Sequence, residues 1–164
     1  MLIAQCFLLG SCTHRVVKNG QWELQKTHAS TWVPPLTDGE SAGIATITVE
    51  SLRDKQISQE HFLLIDSREP QAYEKEHIIG ARNLPYSEVS RYSSYPEALQ
   101  ALQRVSSGFW QPSIPMILYC GGGDCPLSVR SARALIDFGF PLVVEMPEGL
   151  DGWKAKNLPT EPRK

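Results

Sequence analysis

Met116-Ile117-Leu118-Tyr119-Cys120-Gly121-Gly122-Gly123-Asp124-Cys125 is the stretch that decides how this chain folds. Its first four residues are apolar without alternation, the pattern of a short strand buried on both faces of a parallel sheet. Three glycines break the run. Residues 128–138 then show helical periodicity, with Ala132, Leu135 and Ile136 on one face, Ser128 as the expected N-cap and Gly139 as the stop. A strand running through a glycine loop into a helix is the repeating unit of an open α/β sheet, which holds its ligands beyond the carboxyl ends of its strands. Cys120 stands at that end.

The loop composition points to anion chemistry. Glycines let successive backbone N–H groups turn toward one point, and a helix N-terminus adds partial positive charge. A thiol placed there is expected to exist partly as thiolate, and the same cradle suits an anionic persulfide, Cys–S–S⁻. Cys120 and Cys125 are therefore the catalytic candidates. Gly121, Gly122, Gly123, Asp124, Ser128 and Arg130 are the candidate substrate- or anion-binding groups. The competing reading is an inert buried cysteine at a strand end, which gives the three glycines no purpose. A disulfide between Cys120 and Cys125 requires Cα atoms within about 7 Å and would let Cys125 resolve a persulfide or sulfenate on Cys120. Cys125 reads equally as a second sulfur site or as a loop residue without a role before Pro126. Two local thiols and His77 do not complete a four-ligand zinc set, and no other cofactor is called for.

Working outward, residues 62–65 form a second continuous apolar run ending at Asp66, and residues 142–146 a third. Residues 44–49 alternate and are β-branched, so they are expected as a strand, and residues 50–56 as a helix. Residues 70–76 suit a short helix with Pro70 near its start, and residues 78–83 a short strand closed by Pro85. Residues 96–105 are amphipathic, with Ala98, Leu99, Leu102 and Val105 on one face. Residues 150–156 suit a closing helix. Strands alternate with helices, so the expected fold class is α/β, with a mainly parallel central sheet flanked by helices.

Hydrophobic residues make up 41% of the 164-residue chain and charged residues 21%, a balance that supports one folded core rather than disorder. The formal net charge is −2, from 16 basic and 18 acidic residues with no run of one sign, which gives no reason to expect nucleic acid as a partner. Residues 1–12 resemble a bacterial lipoprotein signal, with an apolar stretch running into Leu9-Gly10-Ser11-Cys12. On that reading Cys12 carries a lipid anchor in the cell envelope, on the periplasmic side. The alternative is a short apolar N-terminus with a free thiol in a cytoplasmic protein. Residues 13–43, with Trp22 and Trp32, lack clear periodicity and read as an arm or tether. The folded domain is expected over residues 44–162.

Three segments together give a resemblance to a known family. The first is Leu64-Ile65-Asp66-Ser67-Arg68, followed by Tyr73, Glu76-His77-Ile78-Ile79-Gly80-Ala81 and Asn83-Leu84-Pro85. The second is Leu118-Tyr119-Cys120. The third is Glu148-Gly149-Leu150-Asp151-Gly152-Trp153. Over residues 44–161 the chain resembles the rhodanese (thiosulfate sulfurtransferase) family. The resemblance implies that Cys120 is the nucleophile and persulfide carrier, loaded by a donor such as thiosulfate and unloaded by a thiophilic acceptor. The partners it implies are a small sulfur donor or a protein thiol or persulfide.

Two departures from the family pattern stand out. The loop reads two residues longer than usual, so Leu127 falls where the family's arginine would stand. That leaves Arg130 as the guanidinium within reach of the site, with Arg133 on a solvated face, and it argues against phosphatase chemistry, which needs a bidentate arginine. Glu148 replaces the first glycine of the closing pair. Asp66, Arg68 and His77 are expected to support the site, the first two as an ion pair fixing a strand end and His77 as a hydrogen-bonding residue in the turn. Trp153 is expected as a core anchor. Three functional readings follow: a sulfurtransferase, a thiol–disulfide redox protein using Cys120 and Cys125, and a non-catalytic rhodanese-like binding module.

Overall fold

A computed structural model describes the backbone of residues 5–6, 11–18, 21–28 and 41–162, and side chains over residues 41–162. The chain divides into two units, Met1–Pro34 and Pro35–Lys164. In the first, β1 (Gln5–Cys6), β2 (Ser11–Lys18) and β3 (Gln21–His28) form an antiparallel sheet in that order. The stretch read as an arm thus holds most of a β-hairpin. Its strands mix polar and charged residues, which hides them from a hydrophobic-periodicity reading. Cys12 lies in β2; its side chain, those of Trp22 and Trp32, and most of the segment read as a signal lie outside the described residues.

The second unit is built on a five-stranded, all-parallel sheet of order β4-β9-β8-β5-β7. In chain order its elements are β4 (Ala45–Thr46), α1 (Val49–Ile57), β5 (Leu63–Asp66), α2 (Pro70–Lys75), β6 (His77–Ile78), β7 (Arg82–Asn83), α3 (Tyr86–Val89), α4 (Tyr95–Val105), β8 (Met116–Tyr119), α5 (Leu127–Asp137), β9 (Val143–Glu145), α6 (Gly149–Ala155) and β10 (Thr160–Glu161). The apolar runs in β5 and β8 are buried at every position because helices cover both faces. Alternation sorts their side chains. Leu63, Ile65, Met116 and Leu118 pack with α3, α4 and α5, whereas Leu64, Ile117 and Tyr119 pack with α1 and α6. Among the described residues no helix is long and apolar enough to cross a membrane.

Several boundaries differ from the sequence reading. The strand expected over residues 44–49 shrinks to β4, because the Thr48 side chain accepts the Ser51 N–H and caps α1 there. The strand expected over residues 78–83 splits in two at Gly80, whose φ of +80° turns the chain. β6 pairs antiparallel with β10, while β7 joins β5. Ser128 is not the N-cap of α5. Pro126 takes that position, and Ser128 is the second helical residue, fully buried. Gly139 does end α5, at φ +95°. Trp153 is the expected anchor, with its indole Nε1 donating to the Pro159 carbonyl at 2.9 Å.

On the other face Trp110 is buried, donates Nε1–H to the Ile114 carbonyl at 2.9 Å and packs obliquely on Phe140. Trp110→Ala is expected to cost about 3–5 kcal/mol. A urea melt followed by far-UV circular dichroism should show a lower midpoint at unchanged slope.

Candidate active site at the carboxyl end of the sheet

Strand β8 delivers Cys120 to the end of the sheet on the face covered by α5, since residues 116, 118 and 120 share one side of the strand. The loop that follows is held backbone to backbone against the start of α6. The Cys120 carbonyl accepts the Leu150 N–H at 2.9 Å and the Gly121 carbonyl accepts the Asp151 N–H at 2.8 Å. Two glycines make this approach possible. A Cβ on Gly122 (φ +114°) would lie 2.4 Å from the Glu148 carbonyl oxygen. One on Gly149 (φ +56°) would lie 2.5–2.7 Å from Gly122 N, Cys120 O and Gly121 C. No side chain fits at either place. A turn closed by the Cys125 N–H on the Gly122 carbonyl, at 3.2 Å, then brings the chain back. Gly123 and Asp124 are exposed at its tip.

The returning chain places Cys125 against Cys120. The two are joined as a disulfide with Cα atoms 6.4 Å apart, within the range a disulfide spans. Cys120 is 2% exposed and Cys125 is half-buried. The Cys120 sulfur also lies 3.0 Å from the Cys125 carbonyl oxygen and 3.3 Å from the Ser128 hydroxyl. Ser128 Oγ is in turn 2.8 Å from Glu145 Oε1. Glu145 is 4% exposed, on the same side of β9 as Val143 and so toward α5. Burial raises its pKa above the ordinary carboxyl value; the Ser128 hydrogen bond opposes this and the nearby Glu148 charge adds to it.

The end of β5 is fixed separately. Arg68 grips the buried Asp66 carboxylate through Nε (2.9 and 3.1 Å) and through Nη2 (2.6 Å), and Nη2 also donates to the Glu76 carbonyl at 2.6 Å. Burial opposes the Arg68 charge, and the Asp66 partnership more than offsets it, so the Arg68 pKa is raised. Asn83 Nδ2 bridges the Asp66 and Arg68 carbonyls at 3.0 and 2.8 Å. His77 stacks on Tyr73 and pairs its Nδ1 with the Tyr73 carbonyl at 2.8 Å. The Tyr119 hydroxyl accepts the Ile78 N–H at 3.1 Å.

A family model described as a rhodanese-like domain matches residues 48–156, from the cap of α1 through the loop to the last turn of α6. The chain belongs to the rhodanese-like family. A thiosulfate sulfurtransferase of Arabidopsis thaliana, "Thiosulfate sulfurtransferase 16, chloroplastic", is 30% identical over 74% of this rhodanese-like chain and 97% of its own length. "Thiosulfate sulfurtransferase GlpE" of Coxiella burnetii is 25% identical over 66% of this chain and 86% of its own. Among solved structures, the rhodanese-like domain of the Anabaena Alr3790 protein superposes with a TM-score of 0.55 at 25% identity, covering 71% of this chain and 78% of that one.

Within this rhodanese-like site the structure brings together Cys120, Cys125, Ser128 and the loop glycines. Asp66, Arg68 and His77 make their hydrogen bonds with each other's surroundings, at β5, α2 and β6, rather than with either cysteine. Arg130 stands half-buried one turn into α5. Arg133 is half-buried, and its guanidinium donates to the Ala42 carbonyl on an exposed part of the surface. Glu148, in place of the family glycine, lies beside α1, with Oε1 3.4 Å from the Val49 N–H. Among the described residues no cluster of three or more His, Cys, Asp or Glu side chains could hold a metal.

Glu145 is the site residue missing from the sequence reading. The signal was a lone carboxylate in the otherwise apolar run Leu142-Val143-Val144-Glu145-Met146, where a buried charge needs a partner.

Gly149→Ala tests the backbone contact that shapes the loop. The φ alone should cost about 1–3 kcal/mol, and the displaced loop should pair Cys120 with Cys125 more slowly. Calorimetry and mass-resolved thiol trapping during reoxidation measure the two effects. An unchanged melting temperature together with an unchanged pairing rate would sink the assignment.

Proposed function

We propose that this protein moves sulfane sulfur through a persulfide on Cys120. The observation that carries the reading is the seat of Cys120, at the carboxyl end of a central parallel strand, before a glycine loop and a helix N-terminus, with the Ser128 hydroxyl 3.3 Å from its sulfur. The sulfurtransferase names of its relatives support it. The Cys120 thiolate attacks the sulfane sulfur of the donor. With thiosulfate, the donor's S–S bond breaks and sulfite leaves, and an acceptor thiol or other thiophile then removes the outer sulfur. Leu127 supplies no charge to hold a dianion, so a protein or small-molecule persulfide suits this loop better than thiosulfate.

The Cys120–Cys125 disulfide favours a redox step in the same cycle. Cys120 is unavailable until a thiol reductant opens the bond. Once Cys120 carries sulfur, attack by the Cys125 thiolate on the Cys120 sulfur re-forms the disulfide and expels hydrosulfide. Two thiol sulfurs are oxidised and the sulfane sulfur is reduced, so the step needs no other oxidant. If Cys12 is the lipid-bearing residue of an envelope protein, an oxidising compartment would keep the pair closed between turnovers.

Reduced protein incubated with thiosulfate or glutathione persulfide should gain one sulfur atom, located by peptide mapping at Cys120. Cys120→Ser should gain none there. If the wild type acquires no sulfur at Cys120 from either donor, the reading fails.

Cys125→Ser should retain its persulfide severalfold longer than the wild type, whose persulfide decays with hydrosulfide release. Equal lifetimes would remove Cys125 from the cycle.

A further inference from the structure

Glu145 and Ser128 form a buried chain ending on the Cys120 sulfur, and the sulfur-transfer steps do not account for it. Ser128 Oγ stands between two acceptors, 2.8 Å from Glu145 Oε1 and 3.3 Å from Cys120 Sγ. It has a single hydrogen and cannot donate to both at once. If Glu145 is ionised, the Ser128 hydrogen goes to the carboxylate, and the serine lone pairs face Cys120, which suits an S–H donor there. If Glu145 is protonated, its O–H donates to Ser128, and the serine hydrogen is free to turn to the sulfur, which suits a thiolate or persulfide. Each state of the carboxyl group thus matches the opposite state of the thiol. Ser128 and Glu145 are fully or nearly fully buried, so bulk water is a poor substitute at either end.

We propose that Glu145 is a positioning residue that takes up, through the Ser128 hydroxyl, the proton Cys120 gives up as it becomes a nucleophile. The Cys120 S–H proton passes to Ser128 Oγ while the Ser128 proton passes to Glu145 Oε1. Thiol and carboxylate become thiolate and carboxylic acid. The charge of the buried unit stays constant, and no electrons are transferred. In the disulfide Cys120 has no proton to give, so the exchange begins when that bond is opened.

The surroundings suit a carboxyl that holds a proton. Burial favours its neutral form. The ionisable groups on the elements around it are Arg130, Arg133 and Asp137 of α5, Tyr119 of β8, and Glu148 in the turn after β9; β4 contributes none. The Glu148 charge acts on Glu145 in the same direction as burial. The inference rests on the sulfur-transfer reading only for the use made of the thiolate.

The test uses the reduced full-length chain and no sulfur donor, so it fails or succeeds independently of persulfide formation. Alkylation of Cys120 by iodoacetamide, followed on its own peptide by mass spectrometry, reads the thiolate fraction. Between about pH 4 and pH 9, the span of ordinary carboxyl and thiol ionisations, the wild-type rate should rise in two steps separated by a plateau, as a coupled pair requires. Glu145→Gln keeps the shape and can donate to Ser128 but cannot accept a proton, so it should give one step. A group with a merely structural role would leave the number of steps unchanged. A single step in the wild type overturns the proposal, as do two steps that survive Glu145→Gln. If that variant does not fold, Ser128→Ala takes its place, with loss of the plateau expected and its persistence overturning the proposal.

Discussion

The contact between the Cys120 loop and the first turn of α6 is the constraint on which the site depends. Two carbonyls just past the end of β8 have left the sheet ladder, and α6 begins with N–H groups that its own helix does not use. Leu150 and Asp151 satisfy one shortage with the other. This joins elements some thirty residues apart in sequence and sets the path of the glycine loop before any side chain is considered. Glycine at positions 122 and 149 is then a steric requirement, because at each a Cβ would enter the backbone of the facing segment. Cys120 sits where it does because two stretches of main chain meet there.

Two buried carboxylates mark the ends of β5 and β9, the strands on either side of β8, and their settings contrast. Asp66 is fully matched. Arg68 binds it through two nitrogens, and the resulting ion pair continues into the Glu76 carbonyl and fixes the turn after β5. Removing either partner would leave a buried charge, which makes the pair a fastener. Glu145 faces a neutral hydroxyl, and burial together with the nearby Glu148 charge favours its neutral form. A carboxyl so placed is more easily protonated, and its neighbour beyond the hydroxyl is the sulfur atom.

The parts of the fold legible in the sequence were those whose signal is local. The unbroken apolar runs of β5 and β8 and the one-sided helices α4 and α5 follow from burial on both faces of a covered sheet. Cys120 was legible because glycines and a helix start mark a loop built for close approach. What stayed hidden depended on partners elsewhere. Thr48 looks like a strand residue until its side chain caps α1. Ser128 looks like a helix cap until its hydroxyl is seen turned inward to Cys120 and Glu145. Glu145 reads as one charge in an apolar strand, and its meaning comes from a helix residue seventeen positions earlier. The polar strands β2 and β3 pair mainly with each other, so the pattern that betrays a core-facing strand is absent from them.

The unequal exposure of the two disulfide-bonded cysteines has a directional consequence. A reducing thiol arriving from solvent meets the half-buried Cys125 before the almost fully enclosed Cys120. Attack therefore falls on Cys125, the transient mixed disulfide forms on the loop, and Cys120 departs as the leaving group. A leaving sulfur departs as an anion, and faster the better that anion is stabilised. The reductant is thus held at the rim while the inner sulfur is set free behind it, so the asymmetry of the pair fixes the order in which the outside world can touch it.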